Sequence, residues 1–441
     1  MGAAIAVLSS AGTGVCALPE AAAAVPDTLD MNAAIGFAVE NNFSIRQARE
    51  RIKGQEGIEI EVRSRQIPSV GAAGSYTGNA RSLSTYAPPD NDRAWSIALQ
   101  ARQVLYAGGG VTAAVKSARL AREAAMLELE GIINQQLLAV RTQFYNVLLA
   151  KEKISVQEEN VKLLEQQLKD AQSRLSAGTV SNFEVLRAEV ALANGQPPLI
   201  QARNDYRIGI EQLRQLLGFG SATGAGVTKV PEFVGSLAAG PQADLQLADA
   251  LAAAQANRPE LQRLAKLQGA GEQNLKASRS GYLPELDLVG GYTWVRGVNS
   301  AQWNDRRDGW TGGLQAQWNI FDGRATAGRV VQARSQLEQA RLALAEASLS
   351  VEVQVRQAYS LLIEAWELVQ ASVKTVEQAQ EALRLANVRY AAGTATQLDV
   401  LTSQVALTEA RINQLQANYG YNVALANLRQ AMGQADEYVK S

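Results

Sequence analysis

Val161-Lys-Leu-Leu-Glu-Gln-Gln-Leu-Lys-Asp-Ala-Gln-Ser-Arg-Leu-Ser-Ala-Gly-Thr-Val180 and, 215 residues further on, Val376-Glu-Gln-Ala-Gln-Glu-Ala-Leu-Arg-Leu-Ala-Asn-Val-Arg-Tyr-Ala-Ala-Gly-Thr-Ala395 are two versions of one helix end. Apolar positions recur at three and four: Leu164, Leu168, Ala171 and Leu175 in the first, Val376, Ala379, Leu383 and Ala386 in the second. This is the seam of a coiled coil. Upstream there is no Pro and almost no Gly back to Val111 and Thr326. The spacing therefore predicts uninterrupted helices over 111–177 and 326–392, each of roughly 67 residues and about 100 Å. An ordinary soluble domain has no use for helices of that length, whereas a structure that crosses a compartment does.

Working outward, the rest of the chain repeats too. Leu213-Arg-Gln-Leu-Leu-Gly218 answers Leu428-Arg-Gln-Ala-Met-Gly433, Trp95 answers Trp310, and Tyr106-Ala-Gly108 answers Phe321-Asp-Gly323, all 215 apart. Pro68 with Pro284 and Tyr76 with Tyr292 lie 216 apart. A single long period is a duplicated half-molecule, not a short-period solenoid. The halves run over 28–218 and 244–434, with a Gly-, Ala- and Pro-rich seam over 219–243 and a tail over 435–441. Each half has the same order. A helical stretch (about 30–66, and 244–281) stops at a proline. Two strands follow (68–81 and 93–106; 284–298 and 309–321), then the long helix, a tight turn and a last helix (from 182, and 397–432). Asn194-Gly-Gln-Pro-Pro198 interrupts the first of these last helices. Interior proline costs about 3 kcal/mol, which predicts a break or loop there.

The strands alternate strictly. Trp95, Ile97, Leu99, Ala101 and Leu105 share one face against Ser96, Gln100 and Arg102. Trp310, Leu314, Ala316, Trp318 and Ile320 oppose Thr311, Gln315, Gln317 and Asn319. Leu286, Leu288, Tyr292 and Trp294 oppose Asp287 and Thr293. Period two marks a sheet with one apolar and one polar face. The apolar face suits the core of a soluble sandwich or the lipid side of a membrane barrel. Four strands are too few to close either, so oligomerisation is implied. The connections Ser82 to Asp92 and Asn299 to Asp308 are polar, as outward hairpin loops are.

Composition narrows the chemistry. There is no His, which removes the commonest general base, imidazole metal ligation and every Ser-His or Cys-His pair. The single Cys, Cys16, excludes an intrachain disulfide. A formal net charge of −1 and pI near 5.9 give no reason to expect nucleic acid. No catalytic, cofactor-binding or metal-ligating constellation emerges. Residues 1–27 read as an export signal: Ala3 to Val15 is apolar and Ala21 to Ala24 offers small-residue cleavage positions. The basic n-region is missing, with no Lys or Arg before Arg46, which points to a start upstream. Cys16 is the alternative, a lipid-attachment cysteine, although Val15 precedes it where a small residue is expected. Beyond this segment no apolar run of about 18 residues occurs.

At the ends of the long helices, Gly178 and Gly393 read as left-handed helix terminators. Ser181-Asn-Phe-Glu184 is a capping box and Thr396-Gln-Leu-Asp399 is close to one, so helix capping is the plain reading of both carboxylates. Gly108-Gly-Gly110 lacks the Lys-Ser/Thr of a phosphate cradle and reads as the turn from strand into helix. The charged pairs along 150–174 read as solvated helix faces.

In this order and spacing the duplication, the proline before each strand pair, the Phe321-Asp-Gly323 junction and the two Gly-Thr turns resemble the TolC family of outer-membrane efflux and secretion ducts. The resemblance covers the chain from about residue 28. It implies a mainly α protein with a small membrane β-barrel. Long coiled-coil helices form a homotrimeric α-barrel in the periplasm, and four strands per protomer contribute to a shared twelve-stranded β-barrel in outer-membrane lipid. It also implies docking of a periplasmic adaptor (membrane fusion protein) and an inner-membrane pump of the RND or ABC type around the turns at Gly178, Thr179, Gly393 and Thr394. By the same resemblance Asp399 projects into the closed entrance as a three-fold acidic ring, whose crowded carboxylates should have raised pKa values. The place of a second acidic ring holds Thr402. Glu184 and Tyr390 match a latch between helix pairs, against the alternative that Tyr390 simply packs at the end of the seam. Three departures stand out: Ala395 replaces the latch arginine, and Val104 and Asn319 occupy places where prolines are common. The competing architecture is a trimeric coiled-coil stalk or adhesin with a membrane anchor, which helices returning on themselves disfavour.

Overall fold

The computed structural model of the protein describes residues 28–78, 93–219, 231–296 and 306–434. The export segment with Cys16, the hairpin loops, the middle of the seam and the C-terminal tail lie outside the described residues. The first half runs β1 (Thr28–Leu29), α1 (Met31–Asn41), α2 (Phe43–Ser64), β2 (Ser69–Gly78), β3 (Arg93–Ala107), α3 (Gly110–Ser176) and α4 (Asn182–Leu217). The second runs β4 (Glu232–Phe233), α5 (Leu247–Asn257), α6 (Pro259–Arg279), a 3-10 turn (Ser280–Tyr282), β5 (Glu285–Arg296), β6 (Arg307–Gln317), α7 (Ala325–Ala391) and α8 (Gln397–Ala431). α3 and α7 are both 67 residues long.

The leading helical stretch of each half is two helices, not one. In the first, Asn42 leaves the helical region (ψ 128°) and its Oδ1 accepts from the Ser44 and Ile45 amides. Its Nδ2 donates to the Leu216 carbonyl at 2.7 Å. In the second, Pro259 forces Arg258 to ψ 115°, as a residue before proline must be. The buried Arg258 then donates Nε to the Ala431 carbonyl at 2.9 Å and Nη2 to Gln354 Oε1 at 2.6 Å. Each break thus ties off the end of its half's last helix, with a neutral amide in one and a guanidinium in the other.

The break expected at Asn194-Gly-Gln-Pro-Pro198 does not occur: α4 continues through Pro197 and Pro198 over 36 residues. Its buried face on either side, Val185 and Ala188 before the prolines and Ala202, Ile210 and Leu213 after them, is packed, and that packing offsets the local cost of proline.

The four long strands form one antiparallel sheet in the order β2-β3-β5-β6. The β3–β5 pairing joins the halves, with Ile97 opposite Trp294 and Leu99 opposite Tyr292. One face carries Val70, Tyr76, Trp95, Ile97, Leu99, Leu288, Tyr292, Trp294, Trp310 and Leu314, by register and alternation. It is exposed, Trp310 by 80% and Val70 by 69%. The opposite face is polar, with a Ser75–Ser96 hydroxyl contact at 2.8 Å and an Arg102–Asp287 ion pair at 2.6 Å. Two strand expectations need correction. A bulge between Val104 and Tyr106 takes Leu105 out of the ladder, and β6 stops at Gln317, so Trp318 and Ile320 lie beyond it. The Trp318 Nε1 is engaged instead by the Tyr282 carbonyl at 3.1 Å. β2 and β6 are free edges.

The sheet is joined to the helices by paired left-handed residues, Gly108 and Gly109 (φ 58° and 75°) and Gly323 and Arg324 (φ 66° and 75°). A methyl on Gly108 would lie 2.8 Å from Leu283 Cβ, whereas nothing lies within 4 Å of one on Gly323. In the second junction Asp322 caps α7, accepting from the Thr326 amide at 2.8 Å and hydroxyl at 2.6 Å. The Thr326 hydroxyl above all holds the Asp322 carboxyl below its ordinary range.

Midway along the helices lie two apolar cores that repeat the duplication. Ala38, Val140, Leu213 and Leu217 in one are matched by Ala254, Val355, Leu428 and Met432 in the other. The short parallel pair β1–β4 contributes Leu29 and Phe233 to the first core.

Candidate functional site at the helical tip

Both long helices end in the same backbone device. The Gly178 amide donates to the Leu175 carbonyl and Thr179 to Arg174; Gly393 donates to Tyr390 and Thr394 to Arg389. Both glycines sit at φ 73°. This doubly bonded left-handed terminator satisfies the carbonyls a helix end leaves free. The Thr179 and Thr394 hydroxyls add bonds to the Arg174 and Arg389 carbonyls at 3.0 and 3.1 Å. A methyl on either glycine would meet nothing within 4 Å. The turns therefore present small, exposed surfaces.

The starts of the returning helices differ. At α8 the capping box is complete: Asp399 Oδ2 accepts from the Thr396 amide at 2.8 Å and from its hydroxyl at 2.8 Å, and the Asp399 amide donates to that hydroxyl at 3.4 Å. At α4 it is not formed, for Ser181 makes no capping bond. Glu184 has one oxygen shielded without a hydrogen-bond partner.

The same box decides the charge state of Asp399 within the chain. The Thr396 amide first, and its hydroxyl second, hold the carboxyl below the ordinary aspartate range. The rise expected of an acidic ring is thus opposed by the chain itself. Thr402, one turn on, is exposed and donates its hydroxyl to the Leu398 carbonyl at 2.8 Å.

Tyr390 takes a partner that was not expected. The guanidinium of Arg174 lies 4.6 Å from the centre of its ring, a cation–π contact that ties the first hairpin, α3–α4, to the second, α7–α8. Within the chain Glu184 is not bonded to Tyr390. This contact joins residues from different halves, which no spacing argument could bring together.

Above the tip, α3 and α8 meet through amides. Gln404, only 2% exposed, donates to Asn160 Oδ1 at 3.0 Å and accepts from Gln167. Thr408 donates to Asn160 Oδ1 at 3.3 Å. Gln397 and Gln157 are buried along with them. Asn160 and Gln167, like Gln397 and Gln404, are seven apart, so a polar heptad register was the available signal.

Among the described residues no group of three carboxylate or Cys side chains converges as a metal site, and no helix is long and apolar enough to cross a membrane. The arrangement is a sheet with one apolar face, joined to long paired helices that end in glycine-terminated turns, one of them followed by a capping box.

Known proteins share this plan. The model of the outer membrane efflux protein family matches residues 34–219 and again 250–434, one match on each half. The chain is 24% identical over 385 residues to the protein CyaE of Bordetella pertussis, covering 87% of this chain and 80% of that one. It is 24% identical over 398 residues to the outer membrane protein TolC of Escherichia coli, covering 86% and 76%. Its fold superposes on a crystal structure of CusC with a TM-score of 0.81 at 18% identity, over 95% of this chain and 96% of that one. With the duplicated family match falling on the two structural halves, the chain belongs to the outer membrane efflux protein family and is a protein of the bacterial outer membrane.

Proposed function

We propose that the chain is one protomer of a passive trimeric exit duct. It works with a periplasmic adaptor and an inner-membrane pump of the RND or ABC type, in a tripartite efflux pump or a type I secretion system. The observation that carries this reading is the four-stranded sheet. Its apolar face is continuous and exposed, its two edges are unpaired, and it is joined directly to two 67-residue helices. In water such a sheet is an aggregation template. In lipid every backbone group must be paired, and pairing β6 of one copy with β2 of the next closes twelve strands with the apolar face to the lipid and the Arg102–Asp287 face to water. The helices then form a tube of about 100 Å that extends into the periplasm. The exposed turns at Gly178, Thr179, Gly393 and Thr394 receive the adaptor. Asp399 and Thr402 line the entrance, while Tyr390, Arg174 and Glu184 lie where neighbouring hairpins meet and hold it closed.

The experiment is conductance of the purified mature protein in planar bilayers, wild type against Asp399→Ala. A small, mostly closed conductance whose cation selectivity falls in the variant is expected. A large open pore indifferent to the substitution removes Asp399 from the gate. A soluble oligomer that never inserts removes the duct.

A further inference from the structure

Neither the tip nor the barrel explains Asn194-Gly-Gln-Pro-Pro198. Pro197 and Pro198 stand inside α4 and have no amide hydrogen, so the Ala193 and Asn194 carbonyls lose their helical donors. Two successive rungs of the helix are missing at one height. Just before them Gly195 is buried, and a methyl there would come within 2.7 Å of Leu164 Cδ1 and 3.8 Å of Asn160 Nδ2. α4 thus lies against α3 as closely as backbone allows, beside Asn160.

Asn160 is also the node of the amide seam. On the side facing α8 it accepts from Gln404 and Thr408. A helix with missing rungs and a helix contact made by hydrogen bonds therefore fall together, about 25 Å above the turn at Gly178. The surroundings differ on either side of this height. Further up, α3 and α4 pack through Val140, Phe144, Val147, Ile210 and Leu213. Toward the tip α3 and α4 pack through a smaller cluster, Ala171, Val185 and Ala188 with Leu168.

The two materials respond differently to displacement. An apolar interface loses its contacts as soon as a gap opens. Amide side chains both donate and accept, so Gln404 can exchange Asn160 for another partner as α8 shifts along α3. The unpartnered Oε1 of Gln167 on α3 supplies a free acceptor for that exchange. On the opposite side α4 can bend where its rungs are absent.

We propose that Asn160 of α3, Gly195 to Pro198 of α4 and Gln404 with Thr408 of α8 form a hinge on which the tip hairpins swing to open the entrance. This rests on the gated-duct reading. The hinge places the moving part at the last turns of each hairpin and leaves the tube above it rigid.

The test is Pro197→Ala/Pro198→Ala, which restores both amide donors without adding bulk. The purified full-length protein is inserted in planar bilayers and the open fraction is recorded beside wild type. Hydrogen exchange over residues 190–204 is measured on the same samples. A roughly tenfold fall in open fraction, with exchange slowed in that segment, is the expected result for a closed state favoured by stiffening. Unchanged gating with slowed exchange overturns the hinge and leaves the duct standing. Unchanged exchange in that segment also overturns it, because the prolines then confer no local opening. Absence of conductance in wild type and variant alike overturns the duct and the hinge with it.

Discussion

The two halves share a backbone plan and differ in how side chains sustain it. Both junctions into the long helices use two consecutive left-handed residues, but in the first Gly108 is wedged against Ser280 and Leu283, and in the second Gly323 stands in open space. Both leading helical stretches break to cap the last helix, once with Asn42 and once with Arg258. Both returning helices begin after the same terminator, yet only Thr396–Asp399 closes a capping box. Duplication has kept the dihedral angles and let the chemistry that enforces them diverge.

The contrast can be broken most sharply at the junctions. Gly108→Ala adds a methyl at positive φ into Leu283 and the Ser280 carbonyl and should cost about 3–4 kcal/mol. Gly323→Ala meets no neighbour and should cost only about 1 kcal/mol. Denaturant unfolding in detergent separates the two, and equal losses would show that crowding is irrelevant there. Next, Arg258→Ala leaves the buried Ala431 carbonyl without its donor and should cost about 2–3 kcal/mol, against about 1–2 for Asn42→Ala. A reversed order would mean that the neutral amide is the stronger tie.

At the tip, Thr396→Ala should destabilise the start of α8 by about 1 kcal/mol while Ser181→Ala changes α4 by a few tenths at most, read as exchange protection of the first turn. Because the cap depresses the Asp399 carboxyl in the folded chain, its stabilisation is present above the ordinary aspartate value of about 4 and is lost as the pH falls through the depressed one. Ser181 should show no such dependence. The smallest effect is Arg324→Gly, which removes the one non-glycine positive φ among the described residues and should stabilise by about 0.5–1 kcal/mol.

Much of this plan was legible because it is periodic. The three-and-four spacing from Leu164 to Leu175 located the long helices, and the alternation from Trp95 to Ala101 located a strand and its apolar face. The terminators were legible because glycine before Thr at a helix end has one strong structural meaning. Proline misled at Pro197 and Pro198, since its local cost is visible in sequence while the packing of Val185, Ala188, Ala202 and Leu213 that outweighs it is not. The end of β6 was blurred at Trp318 and Ile320, where apolar residues continue past the ladder, and the bulge at Leu105 left no mark in the alternation. In the candidate site Asp399 and its cap were readable from a four-residue motif. Arg174 on Tyr390 was not, because it joins residues from different halves and no local pattern links them.

The central β3–β5 pairing sets Trp95 against Arg296, so the sheet is closed across some 200 residues of intervening chain. At about 5–20 residues per second of synthesis, the β2–β3 hairpin exists for roughly 10–40 s before its partner strands do. The long helices need only local contacts and form early, while the sheet must wait for a distant closure with a large entropic cost. During that interval β3 has no β5 beside it, so Trp95, Ile97 and Leu99 face no strand on that side. The step of biogenesis most exposed to error is therefore the pairing of β3 with β5, made across the duplication long after the first hairpin of some forty residues.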